Sequence, residues 1–361
     1  MTRPFAFGDP ERARALADAI LLLVPAQRVK IVHVCGTHEV TITQHGLRRL
    51  LPERVEILEG PGCPVCVTPT RDIDLAVRLA EAGAILCTFG DMTRVPGTRR
   101  TLEDARSTGA DVRTVLSASE AVAISRKTDR DVVFFAVGFE TTAPMTAAIL
   151  LDRPPPNLSV LVSHKLIPPA MAALLGLPGA EVSGYIAPGH VSTVIGTRPY
   201  EALSNEHRMP VVVGGFEPLD VLYAIALVLR QIRDRSPRVE NAYPRAVTEE
   251  GNRRAQAMMA EVFEASDVAW RGIGTIPASG LALRERFAAF DVRRRFPAEG
   301  VEGEETIPGC RCSEVLTARA VPTDCPLFAT RCTPLTPVGP CMVGGEGACS
   351  IWFRYGGRPR L

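Results

Sequence analysis

The sequence predicts an α/β protein: two similar domains with parallel sheets flanked by helices, followed by a helical, cysteine-rich C-terminal domain. Three observations predict it. Short apolar, β-branched runs recur at 29–34, 55–58, 84–89, 131–137, 159–163 and 210–213. Each is nearly continuous, as strands covered on both faces are. Amphipathic stretches such as 72–82 and 141–151 lie between them, and that alternation belongs to parallel sheets with flanking helices. From about residue 300 the pattern stops, and six cysteines crowd between 310 and 349 among prolines and glycines.

At 361 residues the length suits two or three domains. VHVCGTHEVT (32–41) and FAVGFETTAP (135–144) share a strand, a glycine turn, a Glu and following Thr residues. That internal likeness places one domain at 1–125 and a second at 126–235. DRPPPN (152–157) reads as a loop inside the second. Residues 233–245, charged, proline-containing and without period, read as a linker. The third domain, 236–361, opens with a helical stripe of Ala255, Met258, Met259, Val262 and Phe263, read as core packing. Its cysteine-rich part has few apolar residues for a core of its own, so a covalent or metallic tie is expected there.

Composition removes several function classes. With 46% hydrophobic and 22% charged residues, disordered and fibrous chains are excluded. Forty-one Lys plus Arg against 40 Asp plus Glu leave +1, no global field for a nucleic acid or an anionic membrane. The apolar stretch at 19–24 is short and follows a charged amphipathic run, unlike a signal peptide. No segment approaches the ~18 apolar residues that cross a bilayer. A soluble, cytoplasmic protein is expected, with neither nucleic acid nor membrane as partner. Ten cysteines in a reducing compartment then point to metal or redox chemistry. Cys87, inside AILCTF, is the exception and reads as an inert core thiol.

The turns after the strands read CGTHE, GPGCPVC, FGDM, VGFETTAP, APGHVST and GGFEP. Ligands of open α/β sheets sit at these carboxyl ends. Cys35 closes a strand where a helix begins near Thr37, and unpaired N–H groups there are expected to lower its pKa toward thiolate. His38 and Glu39 share the turn, and the trio suits a metal or a proton. Cys63 and Cys66 form a C-x-x-C able to close a small disulfide or to contribute half of a metal knuckle. Glu140 and His190 read equally as site residues or as structural groups. His33, His45, His164 and His207 read as structural. No G-x-G-x-x-G or P-loop is present to cradle a phosphate. Among the last six cysteines, Cys310, Cys325, Cys332 and Cys349 give C-x14-C-x6-C-x16-C, four thiols for an iron–sulfur cluster. Spacing alone leaves Cys312 and Cys341 open as ligands, and structural zinc stands as a second reading although no paired knuckle occurs.

The ordered series CGTHE (35–39), GPGCPVC (60–66), TFGDMTRVPG (88–97), AVGFETTAP (136–144), APGHVST (187–193), VVGGFEPLD (212–220), WRGIGTIPASG (270–280) and CTPLTPVGPCMVGGEGAC (332–349) resembles the hydrogenase maturation factor HypD family over nearly the whole chain. The resemblance implies a scaffold for assembling the Fe(CN)2CO unit of [NiFe]-hydrogenase. It implies a HypC-like chaperone that shares the iron and a HypE-like donor that delivers cyanide from a C-terminal thiocyanate. It implies one [4Fe-4S] cluster on Cys310, Cys325, Cys332 and Cys349, iron on Cys35, and a thiol–disulfide couple at Cys63 and Cys66. Ser313, Gly344-Gly345 and 40–46 depart from common family residues without touching an implied ligand. A free-standing iron–sulfur thiol–disulfide reductase is the competing class. It has no need of Cys35 or His38.

Overall fold

Why the apolar runs are continuous is visible in the sheets they form. The computed structural model describes residues 9–297 and 307–356. One five-stranded sheet runs in the order β2 (Val55–Glu59), β1 (Val29–His33), β7 (Gly184–Pro188), β8 (Val211–Gly214), β9 (Val239–Asn241). A four-stranded sheet runs β4 (Val112–Thr114), β3 (Ile85–Thr88), β5 (Val132–Gly138), β6 (Leu158–His164). Every neighbouring pair in both is parallel. The fold class is therefore α/β with two parallel sheets flanked by helices.

Each sheet is covered on both faces, and the side chains divide between the faces with a period of two. On β5, Val133, Phe135 and Val137 enter one core and Val132, Phe134 and Ala136 the other. Helix α4 (Thr70–Glu81) lies in the first, and the helices Ala118–Ser125 and Ala143–Leu151 lie in the second. In the five-stranded sheet, Val29, Ile31 and Val212 face the helices Pro10–Leu23 and Pro218–Arg233. Val32, Val211 and Val213 face the opposite way, into a core shared with the C-terminal cysteines.

The sheets do not follow the 1–125 and 126–235 spans. Strands β1 and β2 belong to one sheet and β3 and β4 to the other. The chain leaves the first sheet after β2, builds the second whole, and returns at β7, which pairs with β1. A strand's apolar pattern specifies that both faces are buried. It does not specify which strand lies alongside. The expected linker at 233–245 is likewise structured: a helix runs to Arg233, and β9 supplies the sheet's last strand. The expected third domain is divided too. The antiparallel hairpin β10 (Phe263–Trp270) and β11 (Gly274–Leu283) brings Phe263 and Leu283 into a core of the four-stranded sheet. The cysteine-rich segment packs on the five-stranded sheet. Met258 and Met259 do pack as core side chains. No described helix is long and apolar enough to cross a membrane.

Because β5 is buried on both faces, adjacent substitutions should cost alike. Phe134→Ala and Phe135→Ala, both fully buried, are each expected to lose ~3–5 kcal/mol in urea unfolding. A half-exposed strand would show one large and one small loss.

Candidate functional site

Three loops meet where β1 ends. Helix α2 (Gly36–Gln44) starts there with Cys35 as its N-cap. Gly62 passes so close that a Cβ on it would lie 2.2 Å from the Cys35 nitrogen. From the other side comes the Gly344–Gly347 turn, where a Cβ on Gly36 would meet the Glu346 carbonyl at 2.3 Å. Thr37 Oγ1 donates to Glu346 at 3.1 Å, tying that turn to α2. The glycines of CGTHE and GPGCPVC are thus required by close approach of backbone.

The Cys35 thiol is buried at the start of α2, where the Thr37 and His38 backbone N–H groups act to lower its pKa although neither closes a side-chain cap hydrogen bond. The expected depression of its pKa does not follow. Burial, aided by the Glu346 charge, outweighs those donors and pushes the thiol up to about 12. Without a metal, Cys35 is a neutral thiol. His38 is fully buried, and its Nε2–H donates to the Gly214 carbonyl at 3.3 Å. Burial, with His33 nearby, lowers its pKa to about 3. It is therefore neutral, and Nδ1 keeps its lone pair with no hydrogen-bond partner among the described residues. Its ring stacks on Phe216 at 4.9 Å, and His190 stacks on the same ring at 3.8 Å.

Glu39 does not act as a free ligand or base. Its Oε2 accepts from His33 at 2.8 Å and Arg48 Nη2 at 2.6 Å. Its Oε1 accepts from Thr43 at 2.5 Å, Arg48 Nη1 at 2.9 Å and Trp352 Nε1 at 2.6 Å. Burial alone would raise its pKa, but Arg48 and His33 hold the carboxyl well below the usual range. His33 also bonds the Cys35 carbonyl through Nδ1 at 3.2 Å. The histidine read as structural is part of the frame that fixes the Cys35 turn.

Cys63 and Cys66 are joined as a disulfide, with Cα atoms 5.3 Å apart across helix α3 (Pro64–Val67). Both are fully buried and share an apolar core with Cys332, Cys341 and Cys349. The turns FGDM and GFETT adjoin this pair. With Pro64 and Val65, Phe89, Met92, Phe139 and Met145 line a largely apolar cavity of about 420 Å³. It opens where β3 and β5 diverge to opposite connections, the crevice in which such sheets place ligands.

Glu140 makes no hydrogen bond to the Cys35 turn among the described residues. Its Oε1 accepts from the Ile167 N–H at 2.9 Å, and Oε2 has no partner among the described residues. Burial raises its pKa to about 7. Tyr200, fully buried, lies within electrostatic reach of both Glu140 and Cys35.

The six C-terminal thiols gather in one neighbourhood. Burial pushes Cys349 far up, and Cys312, Cys310, Cys332 and Cys325 each add to the rise. Burial and Cys312, with Cys325 and Cys332 behind, take Cys310 up to about 12. The Val338 N–H donates to Cys332 Sγ at 3.3 Å. Cys312 and Cys341 differ from the rest in sharing a hydrogen bond, which lowers the first thiol and raises the second. Among the described residues, no three His, Cys, Asp or Glu side chains close on a point as a single ion would require. Cys87 is a buried strand thiol pushed up to about 12 by burial, in keeping with an inert role.

Sequence reasoning missed Arg48 and Trp352. Neither lies in a motif, and only the tertiary approach of the C-terminal helix Ala348–Tyr355 to α2 shows their role.

Two outcomes follow. Glu39→Gln is expected to cost ~3–5 kcal/mol at pH 7 by urea unfolding, because Arg48 and His33 lose their charged partner in the interior. Since the Glu39 pKa is depressed, its contribution is present above the ordinary carboxylate range and is lost only as pH falls well below it. Glu140 acts with the opposite sign. The folded chain keeps a proton that the unfolded chain releases, so stability falls by about 3 kcal/mol as pH rises from 4.5 to about 7. Glu140→Gln should flatten that part of the pH–stability curve.

Comparison with known proteins bears on the whole arrangement. Residues 11–356 match the family model described as "HypD: Hydrogenase formation hypA family". A hydrogenase expression/formation protein of Methanocaldococcus jannaschii is 47% identical over 334 residues, covering 91% of this chain and 92% of that one. Hydrogenase maturation factor HypD1 of Bradyrhizobium diazoefficiens is 44% identical, covering 97% and 95%. HypD of Cupriavidus necator is 45% identical, covering 97% and 96%. With Cys35, the Cys63–Cys66 pair and the C-terminal thiols gathered as described, and with a match of this extent, the chain belongs to the HypD family of hydrogenase maturation factors.

Proposed function

We propose that this chain is the cytoplasmic scaffold and redox protein on which the Fe(CN)2CO unit of [NiFe]-hydrogenase is assembled. It shares iron with a HypC-like chaperone and takes cyanide from a HypE-like donor. The observation that supports this reading is the packing of the Cys63–Cys66 disulfide in one apolar core with Cys332, Cys341 and Cys349, while its turn lies against the backbone of Cys35. Low-spin iron with cyanide and CO prefers soft donors, and Cys35 offers thiolate beside the open lone pair of His38 Nδ1. Because Cys35 rests as a thiol, loading iron releases its proton. The burial that disfavours free thiolate also keeps water from the site.

Taking cyanide from a thiocyanate breaks an S–C bond and consumes two electrons. Cys63 and Cys66, as a dithiol, supply both on closing their disulfide. The donor sulfur takes one of the two protons released, and cyanide passes to iron as the other proton leaves. The chain is thus spent in the disulfide form and must be reduced again. Cys310, Cys325, Cys332 and Cys349 suit a [4Fe-4S] cluster. They are four thiols in mutual electrostatic reach. When bound, the cluster supplies electrons one at a time.

The buried disulfide beside these thiols also favours a second reading, an iron–sulfur thiol–disulfide reductase. Infrared spectroscopy on the anaerobic chain, co-expressed with its HypC-like and HypE-like partners, separates the two. Cyanide and CO bands that vanish in Cys35→Ala are expected of the scaffold, and Cys63→Ser should slow cyanide loading. Absence of bands in a brown protein that still cycles Cys63 and Cys66 would favour the reductase.

A further inference from the structure

Taking cyanide from a thiocyanate frees two protons, and the donor sulfur takes only one. Cys63 and Cys66 are fully buried, so the other is released where bulk water does not reach it. Glu140 stands on the wall of the core that holds them. Phe139 before it and Ile167, whose N–H its Oε1 accepts at 2.9 Å, both pack in that core. Gly138, Phe139 and Thr141 line the same cavity as Pro64 and Val65, the two residues between the cysteines. Glu140 is itself 2% exposed, and its Oε2 has no hydrogen-bond partner among the described residues. A buried polar atom left in this way calls for an explanation. The groups around it are committed elsewhere. Burial keeps Tyr185 and Tyr200 protonated, bonded to the Met171 carbonyl at 2.8 Å and to Ser192 at 3.0 Å. Cys341 is held as a thiol by its bond to Cys312 and by burial, and Cys349 by burial. Cys332 accepts the Val338 N–H. His164, opposite Gly138 in the sheet, is kept neutral by burial and bonds Thr146. Lys165 donates to the Ala269 carbonyl at 2.8 Å and lies over the Trp270 ring. Burial, against the N–H groups of Ile167 and of Glu140 itself, sets the proton affinity of the Glu140 carboxyl.

We propose that Glu140 is the proton acceptor for the Cys63–Cys66 couple. The first thiol gives its proton to the Glu140 carboxylate and attacks the thiocyanate sulfur as thiolate. The sulfur–carbon bond breaks, cyanide leaves with the bonding pair, and a mixed disulfide forms. The second thiol attacks that disulfide, closes Cys63–Cys66, and gives its proton to the departing donor sulfur. The thiocyanate has then taken both electrons and become a thiol and cyanide. One proton rests on that thiol and the other on Glu140. The form described here fits the end of this sequence. The disulfide is closed, Oε2 has no donor to hold it as carboxylate, and burial favours the acid up to about pH 7. A base works best when its pKa lies near the working pH. Reduction of the disulfide calls the proton back. The inference rests on the redox reading above.

The test is cyanide release from methyl thiocyanate by the reduced full chain, followed from acid to alkaline pH, with Cys63→Ser as the blank. The wild-type rate is expected to rise through an inflection near the pH of about 7 at which Glu140 ionises. Glu140→Gln keeps an acceptor for the Ile167 N–H and removes the base. It should lose the inflection and react about 100-fold more slowly at neutral pH, with the same thiol count by iodoacetamide and the same circular dichroism. Glu140→Asp, a base on a shorter arm, should keep an inflection. A wild-type rate without one overturns the inference whether or not any variant folds. So does a Gln variant with the wild-type profile, or one slowed equally at every pH, which marks a structural role. A wild-type chain that releases no cyanide at all defeats the redox reading, and the inference falls with it.

Discussion

A single carboxylate, Glu39, holds four separate parts of the chain to one another. It accepts from His33 at the end of β1, from Thr43 on its own helix, from Arg48 beyond that helix and from Trp352 near the C-terminus. Each donor alone contributes modestly, but they meet inside the protein, where a charged acceptor with every lone pair occupied is strong and an unpaired one is costly. The two partners farthest apart in sequence, Glu39 and Trp352, are 313 residues apart. The position of Cys35, four residues before Glu39, depends on this frame. So does the seat of the cysteine-rich segment, because Trp352 stands three residues after Cys349.

That frame sorts the polar residues of CGTHE into different tasks. Glu39 is consumed by structure, while His38 keeps a nitrogen open and Cys35 keeps a sulfur. The neighbouring backbone enforces the distinction, since Gly36 and Gly62 admit two other loops within contact of the turn. The Cys35 sulfur lies at the N–H end of its helix and is nevertheless held as a thiol by burial. Local dipoles tune a group only against the desolvation set by everything packed around it.

The difference between local and long-range information explains what was legible in the sequence. Six strands and their burial were readable because β-branched runs such as those of β5 and β6 carry their environment in their own composition. The residues of the site were readable because Cys35, His38, Cys63 and Cys66 lie in turns whose chemistry is unusual. Strand pairing was not, because nothing in β1 says that β7, rather than β3, will lie beside it. Short strands such as β4 and β9, and the hairpin β10–β11 with its mixed exposure, lack the continuous apolar signature altogether. Arg48 and Trp352 fail for the same reason as the pairing: their role exists only when distant segments meet. The depressed thiol pKa expected at Cys35 fails for a related one, because burial is a property of the fold and not of the helix that starts there.

The return of the chain to its first sheet has a consequence for the order in which the protein comes into being. The strands of the second sheet, β3 to β6, are contiguous, so that sheet has all its strands by the time residue 164 emerges from the ribosome. The first sheet has two strands then, and must wait for β7, β8 and β9. Its cysteine-bearing turns wait longer still, because their cover from 344–352 is made after all five of its strands. Until that segment is made, Cys35, Cys63 and Cys66 stand without the walls that later seal them. Thiols buried in the finished protein are therefore open to oxidants and stray metals during its birth, and the newborn chain needs a reducing surround until the helix Ala348–Tyr355 docks.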